Sequence, residues 1–130
     1  MKKAKWKQLE VEMYGFDVFF AFGRAKTIEK KIRKAGYSIS PMHREELLGG
    51  YEGVAFPMLH KRGYNAFLMW IPTKPKSPKE IAVVAHECLH LVNYVFAEIG
   101  VHSVPEPVDE LQTYFLDYLV EEALRYYWNR

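Results

Sequence analysis

The chain has 130 residues, 49% of them apolar and 15% aromatic, with a formal net charge of +2 and one cysteine. This composition is too rich in core formers for a disordered chain, holds no uncharged run long enough to span a membrane, and excludes an internal disulfide. A chain of this length fits one domain over residues 1–130, which can bury roughly two-thirds of the surface its unfolded form exposes.

The N-terminal segment MKKAKWKQLEVE is charged and has no apolar signal-peptide core, so the expected compartment is the reducing cytoplasm. Charge is unevenly spread: residues 1–34 hold ten Lys/Arg against four Asp/Glu, and residues 98–130 hold two against seven. A solvated tail and the outer face of a helix account for the basic end. No aromatic-interleaved basic pattern for stacking bases accompanies the lysines, so nucleic acid is not an expected partner.

In chain order, QLEVEM (residues 8–13) alternates polar and apolar and predicts a strand with Leu9, Val11 and Met13 on one face. Tyr14-Gly15 offers a turn, and FDVFFAF from Phe16 to Phe22 predicts the second strand of a hairpin. Ala25, Ile28, Ile32 and Ala35 recur at helical spacing among Lys26, Lys30, Lys31, Arg33 and Lys34, with Gly36 as the stop, which predicts a surface helix with a basic outer face. Residues 37–51 contain Pro41 and Gly49-Gly50 and read as a loop with one short helical turn near Glu45 to Leu48. The runs Gly53–Leu59 and Asn65–Pro72 predict two more strands around a turn at His60 to Gly63, with Pro57 placing the first at an edge or bulge.

Ser77-Pro78-Lys79-Glu80 supplies an N-cap, a proline at the first helical position and a glutamate able to reach back, and Gly100 supplies a stop. A helix from about Pro78 to Ile99 follows. Val84, Cys88, Leu91, Val95 and Ile99 form one apolar stripe along it, and Ala85, Leu89, Val92 and Phe96 a second, so the helix is expected to be mostly buried. The remaining strip holds His86, His90, Asn93 and Tyr94, with Glu87 on its flank.

His86 and His90, within the segment HECLH, project from one helix face one turn apart, a separation that a tetrahedral Zn2+ bridges. Glu87 stands beside such a metal, where it can take the proton of a water whose pKa the ion lowers towards about 7. At this chain's His and Glu frequencies the HExxH pattern arises in roughly two of a hundred shuffles, before a capped helix is required around it. Zinc with an open position needs one more protein ligand. A third histidine six residues after His90 is excluded, because that position is Phe96. The downstream candidates are His102, Glu106, Asp109 and Glu110, the last two opening a helix after Pro107 whose apolar face is Leu111, Phe115, Tyr118 and Leu119.

Glu110 follows His90 by twenty residues, and here the chain resembles the gluzincins, the thermolysin-like HExxH peptidases with a glutamate ligand on the next helix at about this distance. The resemblance implies Glu110 as the third ligand, ahead of Asp109, Glu106 and His102. It departs downstream, where the aspartate one turn after the ligand is replaced by Tyr114, leaving Asp117 as a candidate to orient His86. A longer stretch, from the opening hairpin through NAFLMWIP and HECLHLVNYVFAEIG to DELQTYFLDYLVEEAL, resembles small phage-encoded HExxH proteins of a metallopeptidase type. That resemblance implies an α+β, minimal zincin-like domain. It would have a small, mainly antiparallel sheet of about four strands on a buried HExxH helix, a C-terminal helix and a basic surface helix, in the host cytoplasm if phage-encoded. It further implies that Asn65–Pro72 receives an extended peptide by strand addition.

Cys88 reads as a small core residue. Tyr114, Tyr118 and His102 are candidate oxyanion-stabilising groups, Asn93 either bonds a ligand or caps a buried carbonyl, and His43 and His60 read as solvent-exposed loop residues. The function expected from these residues is zinc-dependent hydrolysis of a peptide or protein substrate, with His86, His90 and Glu110 on the metal and Glu87 as base. The alternative is a zinc-stabilised interaction module without turnover.

Overall fold

In a computed structural model the described residues, 5–11, 16–98 and 108–128, form an α+β fold. Side chains at 9–11 and 108–111 fall outside this description, as do Tyr14, Gly15, Ile99 and Gly100 altogether. The elements run β1 (Lys5–Val11), β2 (Phe16–Phe22), α1 (Ala25–Lys34), β3 (Tyr37–Ser38), α2 (Pro41–Leu48), β4 (Val54–His60), β5 (Asn65–Ile71), α3 (Pro78–Glu98) and α4 (Val108–Trp128).

The five strands form one mixed sheet in the order β1-β2-β5-β4-β3. Antiparallel pairing dominates, as expected, but β2 and β5 pair in parallel, with Val18 opposite Phe67 and Phe20 opposite Met69. Five strands replace the four expected, because two-residue β3, paired with Leu59 and His60, is too short to leave a sequence pattern. β1 begins earlier than the 8–13 alternation suggested, with Lys5 opposite Phe22 and Val11 opposite Phe16, and Glu12 and Met13 lie outside the described residues.

β2 and β5 read as nearly unbroken apolar runs because both of their faces are covered. Val18, Phe20, Phe22, Phe67, Met69 and Ile71 point to a core shared with α3 and α4. Phe19, Ala21, Ala66, Leu68 and Trp70 point the other way, to Ile28 and Ile32 of α1, Leu47 of α2 and Phe56 and Met58 of β4. The sheet is thus the middle of three layers. Tyr127 near the end of α4 donates its hydroxyl to Ala21 O at 3.1 Å, and Trp70 Nε1–H donates to Gly23 O at 2.9 Å, so each face carries one deep polar pin.

The basic helix is present with Lys26, Lys30, Arg33 and Lys34 exposed. The stretch expected to be loop is mostly helix: Ser40 accepts the His43 N–H at 3.2 Å as N-cap, Pro41 occupies the first turn, and Leu47 is fully buried. His43 and His60 are correspondingly buried, not exposed. Nε2–H of His60 donates to Ala35 O at 3.1 Å and its Nδ1 accepts the Arg62 N–H at 3.1 Å, which ties the end of α1 to the β4–β5 turn. Gly36 is required there, because its φ is +93° and a side chain would meet the His60 ring at 2.7 Å.

Candidate metal and catalytic centre

The start of α3 is set by local chemistry. Ser77 Oγ accepts the Glu80 N–H at 3.2 Å, and Glu80 Oε1 in turn accepts the Lys76 N–H at 3.0 Å, two orphan donors satisfied reciprocally. The Lys76 backbone bond, followed by the Ser77 hydroxyl, holds the Glu80 carboxyl below its usual range.

The burial of α3 is one-sided, which corrects the two-stripe expectation. Val84, Cys88, Leu91, Val92, Val95 and Phe96 face the sheet and α4, whereas Ala85 is exposed and Leu89 retains 48% of its accessible surface. The sheet and α4 together span only part of the helix circumference, so side chains beyond that arc meet water. His86, His90 and Asn93 stand on this outward face, and Asn93 is therefore not a cap for a buried carbonyl.

On that face the two imidazoles converge. Nε2 of His86 and Nε2 of His90 are 3.2 Å apart, with the rings nearly perpendicular at 79°. Two nitrogens on one tetrahedral zinc, with bonds of 2.0–2.1 Å, lie about 3.3 Å from each other. The separation of the two nitrogens therefore matches that of two ligands on one zinc. Lacking metal, the same approach needs one neutral ring to donate its N–H to the other.

Glu87 differs from its neighbours: it is only 7% exposed. Burial pushes its carboxyl above the ordinary range, against the opposing influence of His90 and His86. The close fit comes from Gly53, where an added Cβ would sit 2.9 Å from Val83 Cγ1 and 3.2 Å from Glu87 Cγ. Gly53 was not singled out from the sequence; the cluster Gly49, Gly50 and Gly53 was its only signal. A groove open to solvent follows this seam, lined by Tyr51, Glu52, Gly53, Lys79, Val83 and finally His86 and Glu87. A smaller pocket continues it past Ile71, Pro72 and Val83, and the ion pair of Lys79 Nζ with Glu52 Oε1, 3.2 Å, spans its rim.

α2 meets α3 at Tyr94. The His43 ring stacks on Phe56 at 5.6 Å between centroids and meets Tyr94 of α3 edge-on at 6.2 Å. Nδ1 of His43 lies 2.9 Å from Glu46 Oε1, and the Glu46 charge reaches both Glu87 and Tyr94, contributing to the upward displacement of each. This wall was also missed, although Ser40-Pro41 repeats the cap-and-proline signal of Ser77-Pro78.

The structure brings together His86, Glu87 and His90 of the expected site. Among the described residues no third ligand joins His86 and His90 in a metal-holding group. Glu110 and Asp109 belong to the first turn of α4 with side chains outside the described residues, and Glu106 and His102 lie outside them entirely. α4 runs antiparallel to α3, since Phe115 stacks on Phe96 at 5.9 Å while Tyr127, near the other end, senses the Cys88 thiol. Counting 1.5 Å per residue from that stack, the α4 backbone at position 110 lies about 16 Å along the helix axis from the level of His90.

Cys88 is fully buried beside Met69, and burial pushes its thiol up to about 12, the inert core residue expected. Tyr114 and Tyr118 are exposed on α4, and Asp117, also exposed there, forms no hydrogen bond or ion pair with His86. β5 is flanked by β2 along Ala66–Ile71 and by β4 along Asn65–Trp70, so the strand lies inside the sheet and offers no open edge to a peptide. Pro57 sits, as expected, where β4 has no strand on its outer side among the described residues. No helix among the described residues is long and apolar enough to cross a membrane. No family model, curated protein or solved structure matches this chain.

Proposed function

We propose that the protein is a zinc-dependent peptidase built as a minimal zincin-like domain of the gluzincin kind. The observation that carries this reading is the convergence of the His86 and His90 Nε2 atoms at zinc-bridging separation beside the buried Glu87. Bound there, zinc would supply Lewis acidity and a water acidified towards neutrality. Glu87 accepts the proton of the attacking water and passes it to the leaving amine. The peptide is held in the groove between α3 and the Tyr51–Gly53 segment, which takes the role first assigned to the interior strand β5.

The spacing from His90 points to Glu110 as third ligand, but the antiparallel register of α4 argues against it, so the proposal rests on His86, His90 and Glu87. Glu110→Gln separates the two: lost zinc retains Glu110, and undiminished zinc removes it. The test of the function is zinc content together with hydrolysis of a denatured protein substrate. We expect one zinc per chain in the wild type and in Glu87→Gln, with hydrolysis reduced at least about 100-fold in that variant. Full hydrolysis by Glu87→Gln, or a purified protein that takes up no zinc, sinks the reading.

A second reading, a zinc-stabilised interaction module, is favoured by the exposure of both imidazoles and by the absence of a third ligand among the described residues. It predicts stabilisation by zinc, no cleavage of any peptide, and indifference to Glu87→Gln.

A further inference from the structure

The groove beside Glu87 does not end at the reacting groups. It follows α3 from Glu87 back to Lys79, about 12 Å of helix axis. There it passes into a cavity of about 120 Å³ that shares Glu52, Lys79 and Val83 with it. The inner walls of this cavity are apolar, formed by Ile71, Pro72 and Val83. The charged groups at its mouth are already engaged: Lys79 Nζ holds Glu52 Oε1 at 3.2 Å, and Glu80 Oε1 accepts the Lys76 N–H at 3.0 Å. What the cavity offers a ligand is therefore apolar surface. Gly53 keeps two of its walls in place, because an added Cβ would sit 2.9 Å from Val83 Cγ1 and 3.3 Å from Ile71 Cγ2 and press on both. Size narrows the class of ligand. A cavity of roughly 150 Å³ lined by apolar side chains admits benzene, so this one seats a branched aliphatic side chain in full and an indole only in part.

We propose that this cavity is a specificity pocket, holding the valine, leucine or isoleucine side chain of a substrate residue two or three positions from the scissile bond. The assignment rests on the peptidase reading. Glu80 and Val83 lie about 10 and 6 Å along the helix axis from Glu87, and an extended peptide advances about 3.3 Å per residue. The second and third residues from the bond attacked beside Glu87 therefore pass the opening. Successive side chains of an extended chain point to opposite sides, so one of the two enters and the other faces away.

The experiment digests a denatured protein with zinc-loaded wild type, maps the cuts by mass spectrometry, and remakes the favoured peptide with glycine at the position singled out. We expect valine, leucine and isoleucine to be enriched at one position, two or three residues from the cut. The leucine peptide should exceed its glycine counterpart in kcat/KM by at least about tenfold. In Val83→Phe, which fills the cavity, that ratio should fall to near one. In Val83→Ala, which enlarges it, phenylalanine should displace leucine as the preferred residue. A packing fault would slow both peptides together and leave their ratio, so the ratio reads the pocket. Should Val83→Phe fail to fold, Thr73→Trp, at an exposed position on the pocket wall, takes its place with the same expected ratio. Cleavage without aliphatic preference at these positions, or a wild-type ratio kept by the filled variant, overturns the proposal and leaves the peptidase standing. A zinc-loaded wild type that cleaves nothing overturns both.

Discussion

Three consecutive residues of α3 have opposite surroundings: His86 faces water, Glu87 is wedged against Gly53, and Cys88 is sealed beside Met69. A helix advances its side chains by about 100° per residue, so neighbours in sequence sample solvent, seam and core in turn. The seam sets a testable pH dependence. A carboxyl whose folded pKa is raised binds its proton more tightly in the folded state, so it penalises folding when ionised. The penalty is absent below the ordinary carboxylate pKa and complete above the raised one. In metal-free protein, Glu87→Gln is therefore expected to be more stable than wild type at neutral pH, with the difference vanishing on acidification below the ordinary range. Urea unfolding at a series of pH values checks this, and a difference that grows in acid contradicts it.

Each helix is delimited by its own signals, and the strength of those signals decides how much the tertiary context must add. α3 has a complete cap, and Ser77→Ala should lower stability by about 1 kcal/mol in chemical unfolding while leaving zinc content unchanged. Glu80 acts in the opposite sense to Glu87: its lowered carboxyl favours folding above the ordinary pKa, and that contribution is lost as pH falls through the folded value. α2 has the same serine and proline but buries only His43 and Leu47, so its apolar periodicity is weak and the element reads as loop. Its position beside β4 places the His43–Glu46 pair next to Tyr94, which no local pattern in residues 37–51 announces.

At the scale of the molecule, one sheet separates two cores, and the candidate metal site belongs to only one of them. Leu68 is fully buried on the α1 and α2 side, so Leu68→Ala should cost about 2–5 kcal/mol without altering zinc stoichiometry. Zinc at a hundredfold excess over its Kd should stabilise the wild type by about 2.7 kcal/mol, and His86→Ala should abolish that gain while leaving the metal-free melting temperature nearly unchanged, since His86 is exposed. Calorimetry with and without added zinc distinguishes the two losses.

The sequence by itself determined what depends on neighbours along the chain. It carried the apolar runs of β2 and β5, the amphipathic basic α1, the Ser77–Pro78–Glu80 start of α3, and the i, i+4 spacing that makes the His86 and His90 rings meet. Only the tertiary structure decided what depends on coverage. Ala85 and Leu89 are apolar yet exposed because nothing packs over their arc, and Glu87 is charged yet buried because Gly53 lets β4 approach it. β5 ends between two strands because β2 joins it in parallel, a pairing between segments more than forty residues apart that periodicity does not encode. HECLH therefore announced the converging pair of imidazoles through helix geometry alone, while the groove, the burial of Glu87 and the α2 wall arise from which surfaces the fold brings together.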